Sequence, residues 1–225
     1  AGPVALRMTR ANGALRIDGD GTRSGSISGS VALSGIDGVT MNGDARAAFN
    51  SNDTSVLVTA TGVLGVDGFA TVSGAFTIAK ATTVDGPTLT IGAAGAEIKV
   101  GPDGGNQVVV SGADLGLVAR TDALGEAGFA LVADGAVSLS GFDSSIDLSA
   151  VSASVAVNRL GSVMDESIQV GASTVDVVFE SARDAQSVVI EGAALTLGGE
   201  VTLTGDLAID SKEVVLGGTT RQQME

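Results

Sequence analysis

The sequence predicts an all-β fold: a duplicated module of long antiparallel strands in a curved or rolled meander sheet. Three observations predict it. Apolar runs of strand character recur from end to end of the 225 residues. Clusters of Gly, Asp, Asn and Ser, the residues that build turns, separate those runs. Phrases also repeat: "GSVALSGIDG" (Gly29–Gly38) returns as "GAVSLSGFDS" (Gly135–Ser144), and "FATVSGAFTIAK" (Phe69–Lys80) returns as "EVTLTGDLAIDS" (Glu200–Ser211). The expected organisation is a first β repeat over 1–120 and a second over 121–225, packed as one continuous unit.

Taken in order, the strand candidates are "SVLVTATGVLGV", "FATVSGAFTIAK", "TLTIGAAGAEIKV", "NQVVVSGADLGLVA", "GFALVADGAVSLSG", "SIDLSAVSASVAVN", "SIQVGASTVDVVF", "SVVIEGAALTLGG" and "EVTLTGDLAID". They are about twice the ordinary strand length of roughly 5–6 residues. In the last of them Val201, Leu203, Leu207 and Ile209 share one parity, and Thr202, Thr204, Asp206 and Asp210 take the other. That alternation predicts one buried and one wet face.

Three runs change phase in the middle. Leu89 and Ile91 are odd, but Ile98 and Val100 are even; Val188 and Ile190 give way to Leu195 and Leu197; Ile168 and Val170 give way to Val175, Val177 and Phe179 across Gly171-Ala172. An extra residue that swaps faces is the mark of a β-bulge or a sheet corner, and Gly tolerates the backbone this requires. Asp67-Gly68 and Gly198-Gly199 stand between apolar runs and predict two-residue hairpin turns, because both positions need positive φ. These turns favour a meander. The regular spacing of the run starts keeps a parallel β-solenoid as the alternative. Helical patterns are confined to "RLGSVMDES" (Arg159–Ser167) and "ESARDAQS" (Glu180–Ser187). They read as loop decorations, the first within extra residues of the second copy, where an insertion is expected to go to a loop.

The chemistry of composition is mostly exclusion. With no Cys and no His, thiolate nucleophiles, disulfides, Cys-based zinc sites and the commonest general base are absent. A net charge of −14 opposes nucleic acid and anionic lipid. No apolar run is long enough for a helical membrane span. No Gly-rich turn is followed by the Lys-Ser/Thr of a phosphate loop. Paired carboxylates could serve a glycosidase, but the chain has neither Tyr nor Trp to stack a sugar. No catalytic residue is assigned, the protein is expected not to be an enzyme, and a small-molecule substrate is not expected.

Calcium is the one cofactor for which the sequence offers candidate ligands: Asp18 and Asp20 in "DGDGT", and Asp103 in "GPDGGN". A carboxylate pair on a Gly-rich loop could begin to supply the six to eight oxygens Ca²⁺ needs. The position of an EF-hand's bidentate Glu is Gly29, however, and a solvated turn is the preferred reading of both loops.

The phrases "FATVSGAFTIAK", "VVVSGADLGLVARTD", "VTLTGDLAID" and the stretch from Gly128 to Phe179 resemble a module repeated in giant secreted bacterial repeat adhesins and haemolysin-type exoproteins. The likeness covers roughly Val56 to Ile209. It implies an extracellular or cell-surface spacer or contact unit, with adjacent repeat modules of the same or neighbouring chains as partners, and it supplies no active-site residues. The tandem calcium nonapeptides common near such modules are missing here. Two functions follow as expectations: a structural or adhesive module, or a curved sheet whose apolar groove binds lipid or another apolar ligand in the bacterial envelope.

Overall fold

The computed structural model describes residues 5–36, 38–50, 56–66, 70–83, 86–102, 104–121, 127–170, 172–182, 185–216 and 219–224. Fifteen strands carry the fold: β1 (Ala5–Ile17), β2 (Arg23–Ser34), β3 (Val39–Asn50), β4 (Val56–Val66), β5 (Ala70–Thr83), β6 (Gly86–Val100), β7 (Gln107–Thr121), β8 (Ala127–Ser140), β9 (Ile146–Ser149), β10 (Ser152–Asn158), β11 (Met164–Val170), β12 (Ser173–Phe179), β13 (Ala185–Leu197), β14 (Val201–Leu216) and β15 (Thr219–Met224). No helix occurs among the described residues.

Thirteen strands form one sheet in the order β1 to β8, then β10, β13, β14 and β15, with β9 bridging β8 and β13. β9 and β10 pair with successive halves of β13 and so act as one broken strand. Every pairing is antiparallel, which excludes the parallel solenoid. The sheet crosses residue 121 without a break, since β7 and β8 pair along their length.

A crease runs across the middle of the strands. Bulges fall at Arg10-Ala11 in β1, Ala94–Ala96 in β6, Gly112-Ala113 in β7 and Glu191-Gly192 in β13. Arg10, Gly95, Gly112 and Gly192 have positive φ. Bulges bend a strand and deepen its twist. Opposite the first and third of them stand Gly29 and Gly135, the opening residues of the repeated phrase. A Cβ on Gly29 would lie 2.7 Å from the Thr9 carbonyl oxygen and 2.9 Å from Ala11 Cα; one on Gly135 would lie 2.9 Å from the Ser111 oxygen and 3.0 Å from Ala113 Cα. The two copies therefore meet the same backbone geometry. The other phrase pair matches less closely. Gly74 faces the bulge of the strand that follows it, and Gly205 borders the bulge of the strand that precedes it, in open space.

The predicted phase changes at Gly95 and Gly192 are bulges. The third is instead a hairpin, because Val170 pairs with Ser173; Gly171 itself lies outside the described residues. Gly198 and Gly199 both have positive φ, but they belong to a three-residue loop, since Leu197 pairs with Val201. Asp67-Gly68 lies outside the described residues.

The predicted helical stretches are not helices. Arg159–Ser167 is an irregular link that enters β11, and its apolar residues continue at Met164, Ile168 and Val170 with strand parity. The insertion is a hairpin, β11–β12, and it lies on the outer face of the sheet. Its seat is the cross-strand pair Gly92–Gly116. A Cβ on Gly116 would stand 2.7 Å from Val177 Cγ2, and one on Gly92 would collide with Val170. Met164, Ile168, Val170, Val175 and Val177 are buried there against Val118 and Ala130, each contributing on the order of 1.5–3 kcal/mol. Arg120 of β7 anchors the hairpin by a 2.7 Å ion pair to Glu166. The fully buried Asn158 closes its base, donating to the Ser162 and Ser181 carbonyls at 3.1 Å each and accepting from the Leu160 N–H.

Candidate functional site, an apolar groove

The main core lies on the other, inner face, running from Val31 and Leu33 on β2 to Ile190 on β13. Within it is a groove of about 310 Å³. One wall is formed by Val66, Ala70 and Val72 with Ile98, Val100, Val108 and Val110; the other by Ala153, Val155 and Val157 with Val188, Ile190 and Leu207; Leu115, Leu131, Ala133, Val137 and Leu148 join them. In a flat sheet β5 and β13 would be roughly 24 Å apart, at about 4.8 Å per strand. Residues of both line one cavity, so the sheet is rolled.

The groove exists because the inner-face residues are small where the walls approach. Ala133, Val155 and Val188 are directly opposite one another across β8, β10 and β13. Leucines in these places would fill the space. Gln186 is the one polar residue of the lining. The lining carries no nucleophile, acid or base, so what the groove offers is apolar surface and shape. Sequence reasoning expected a curved or rolled sheet and, as one reading, an apolar groove, but not which strands would meet across it; Ala70, Ala133 and Ala153 are small inner-face residues of that lining.

Toward the turn that joins β13 to β14, the apolar face continues beyond the groove. Leu148, Leu195 and Leu203 form one cross-strand row, and Ile146, Leu197 and Val201 the next. Val201, Leu203 and Leu207 are 54%, 57% and 49% exposed. This corrects the expectation that their face is buried. The reason is topological: β15 pairs only with Ser211–Leu216, so the described strands leave the outer edge of β14 uncovered below that point.

The calcium candidates sit far from this in the chain. Asp18 and Asp20 belong to the β1–β2 turn, where the Asp18 carboxylate accepts from Arg16 Nε at 2.7 Å and that of Asp20 accepts from the Thr22 N–H at 2.9 Å. The backbone hydrogen bond from Thr22, then its side chain, holds the Asp20 carboxyl below the usual Asp range. Ser145 does the same for Asp143. Asp103 lies outside the described residues, and among the described residues no three acidic side chains gather as a metal site. Among the described residues no helix is long and apolar enough to cross a membrane.

The chain matches no family model, no curated protein and no solved structure.

Proposed function

We propose that this is a non-enzymatic β module that holds an apolar chain in the groove of its rolled sheet. The observation that carries this reading is the groove itself. The groove is open, so when empty its apolar walls stand against water, at a cost of roughly 25 cal/mol for each Å² left exposed. A ligand that fills the groove removes the cost. The lining contains no aromatic ring for stacking and one polar side chain for orientation, which suits hydrocarbon better than a sugar or a nucleotide.

Binding of N-phenyl-1-naphthylamine to detergent-free protein tests it. Saturable fluorescence enhancement is expected, and Val155→Phe, which fills the groove from a half-buried position, is expected to weaken it at least about 10-fold without unfolding the chain. Equal binding by the variant and the original protein contradicts the proposal.

A second reading draws on the outer edge of β1, which no other described strand pairs, and on the resemblance to repeat adhesins. On it the module is an extracellular spacer or contact unit joined to neighbouring modules, and calcium is at most a ligand of its turns. The two readings are compatible, since a module in a surface chain can carry a groove.

A further inference from the structure

Resting on the groove reading, we infer that the ligand is an alkyl-chain amphiphile with a neutral or cationic head group. Its tail lies in the groove and its head at the free edge of β14, beside the β8–β9 and β13–β14 turns.

Three observations converge. First, a groove of 310 Å³ whose lining has one polar side chain suits an alkyl chain. Second, the groove has an apolar exit. Leu148 and Leu207 line the groove, and Leu203 and Val201, on the same face of β14, run from it to the uncovered edge. Residues directly opposite in a sheet share a face, so the exit is continuous with the lining. Third, the exit is one-sided in charge. The segments 127–158 and 185–208 contain no Lys or Arg, and the two turns that flank the exit carry Asp143 and Glu200. The Gly198 N–H donates to the Ser145 carbonyl at 2.6 Å, which fastens together the two turns that flank the exit. An anionic head placed there meets like charge with no cation in these segments to offset it; a cationic head meets opposite charge.

Competition against bound N-phenyl-1-naphthylamine separates the possibilities. Dodecyltrimethylammonium, dodecyl maltoside and dodecyl sulfate are compared below their micelle concentrations, with tetramethylammonium as a head without a tail. At low salt the cationic amphiphile is expected to compete about 10-fold more tightly than the anionic one, the neutral one to fall between, and the tailless cation not to compete. Raising the salt narrows the gap. Leu203→Lys, at an exposed position that leaves the core intact, is expected to reduce the preference to about 3-fold or less, and Val155→Phe to weaken all three alike. Equal or tighter binding of dodecyl sulfate overturns the head-group inference and leaves the groove reading standing. An unchanged preference in Leu203→Lys overturns the placement of the head. Failure of every amphiphile to displace the probe overturns the groove reading and this inference with it.

Discussion

The glycines of this chain fall into different physical situations that look alike in sequence. Gly135 faces backbone at 2.9–3.0 Å, so Gly135→Ala must push β7 and β8 apart and is expected to cost about 1–3 kcal/mol. Gly205 has no heavy atom within 4 Å of an added Cβ, and its φ is not positive. Gly205→Ala should therefore be neutral or stabilise by up to about 1 kcal/mol, through the unfolded chain. Chemical denaturation of the two variants checks both signs; a costly Gly205→Ala would contradict the account of the crease. The repeated phrases made the positions legible but not this difference, because the distance to the neighbouring strand is a property of the bend. The acidic turns behave as turns. Asp20 and Asp143 have carboxyls held below the usual range by hydrogen bonds, so their contribution is present above the unfolded-chain pKa and is lost as pH falls through the lower folded value. Thermal midpoints in calcium and in chelator are expected to agree within about 2 °C, since the sheet has its own apolar core. A large rise with calcium would show that a turn is a metal site.

At the scale of elements, parity was the informative signal. The switches between Ile91 and Ile98 and between Ile190 and Leu195 locate two bulges. The bulge at Gly112 escaped because Val108, Val109 and Val110 are consecutive and hide the parity, and the one at Arg10 escaped because its left-handed residue is not glycine. The β11–β12 hairpin was read as one strand run over Ser167–Phe179 with a bulge or corner in its middle, and its first residues as part of a helical loop decoration, since charges at Asp165 and Glu166 resemble a helical turn until the partner strand is known. The seat for that hairpin makes a sharp prediction. Gly116→Val places two methyl groups where Val177 and Val175 now pack, and is expected to destabilise the protein by about 2–4 kcal/mol. Hydrogen exchange should show the β11–β12 amides losing protection first while those of β2 to β4 are retained. Uniform loss across the sheet would mean that the hairpin and the sheet open as one unit.

For the whole molecule, the antiparallel meander and its curved or rolled form were legible from turn chemistry, alternation and the phase changes, and which strands the roll brings together was not. Curvature accumulates from several bulges and small residues spread over ten strands, none of which names its distant partner. The rolled shape brings β5 and β13 to one cavity and leaves the apolar rows of β14 uncovered. The net charge of −14 also acts at this scale: self-repulsion is screened by salt, so the unfolding midpoint is expected to rise with ionic strength at neutral pH. The central claim is that the groove is filled by a hydrocarbon chain when the protein is in its native surroundings. Mass spectrometry of organic extracts from protein purified without detergent measures this directly. About one acyl- or alkyl-chain molecule per protein in the original sequence, and far less in Val155→Phe, is the predicted result; a well-folded protein that yields no such molecule from either would contradict the claim.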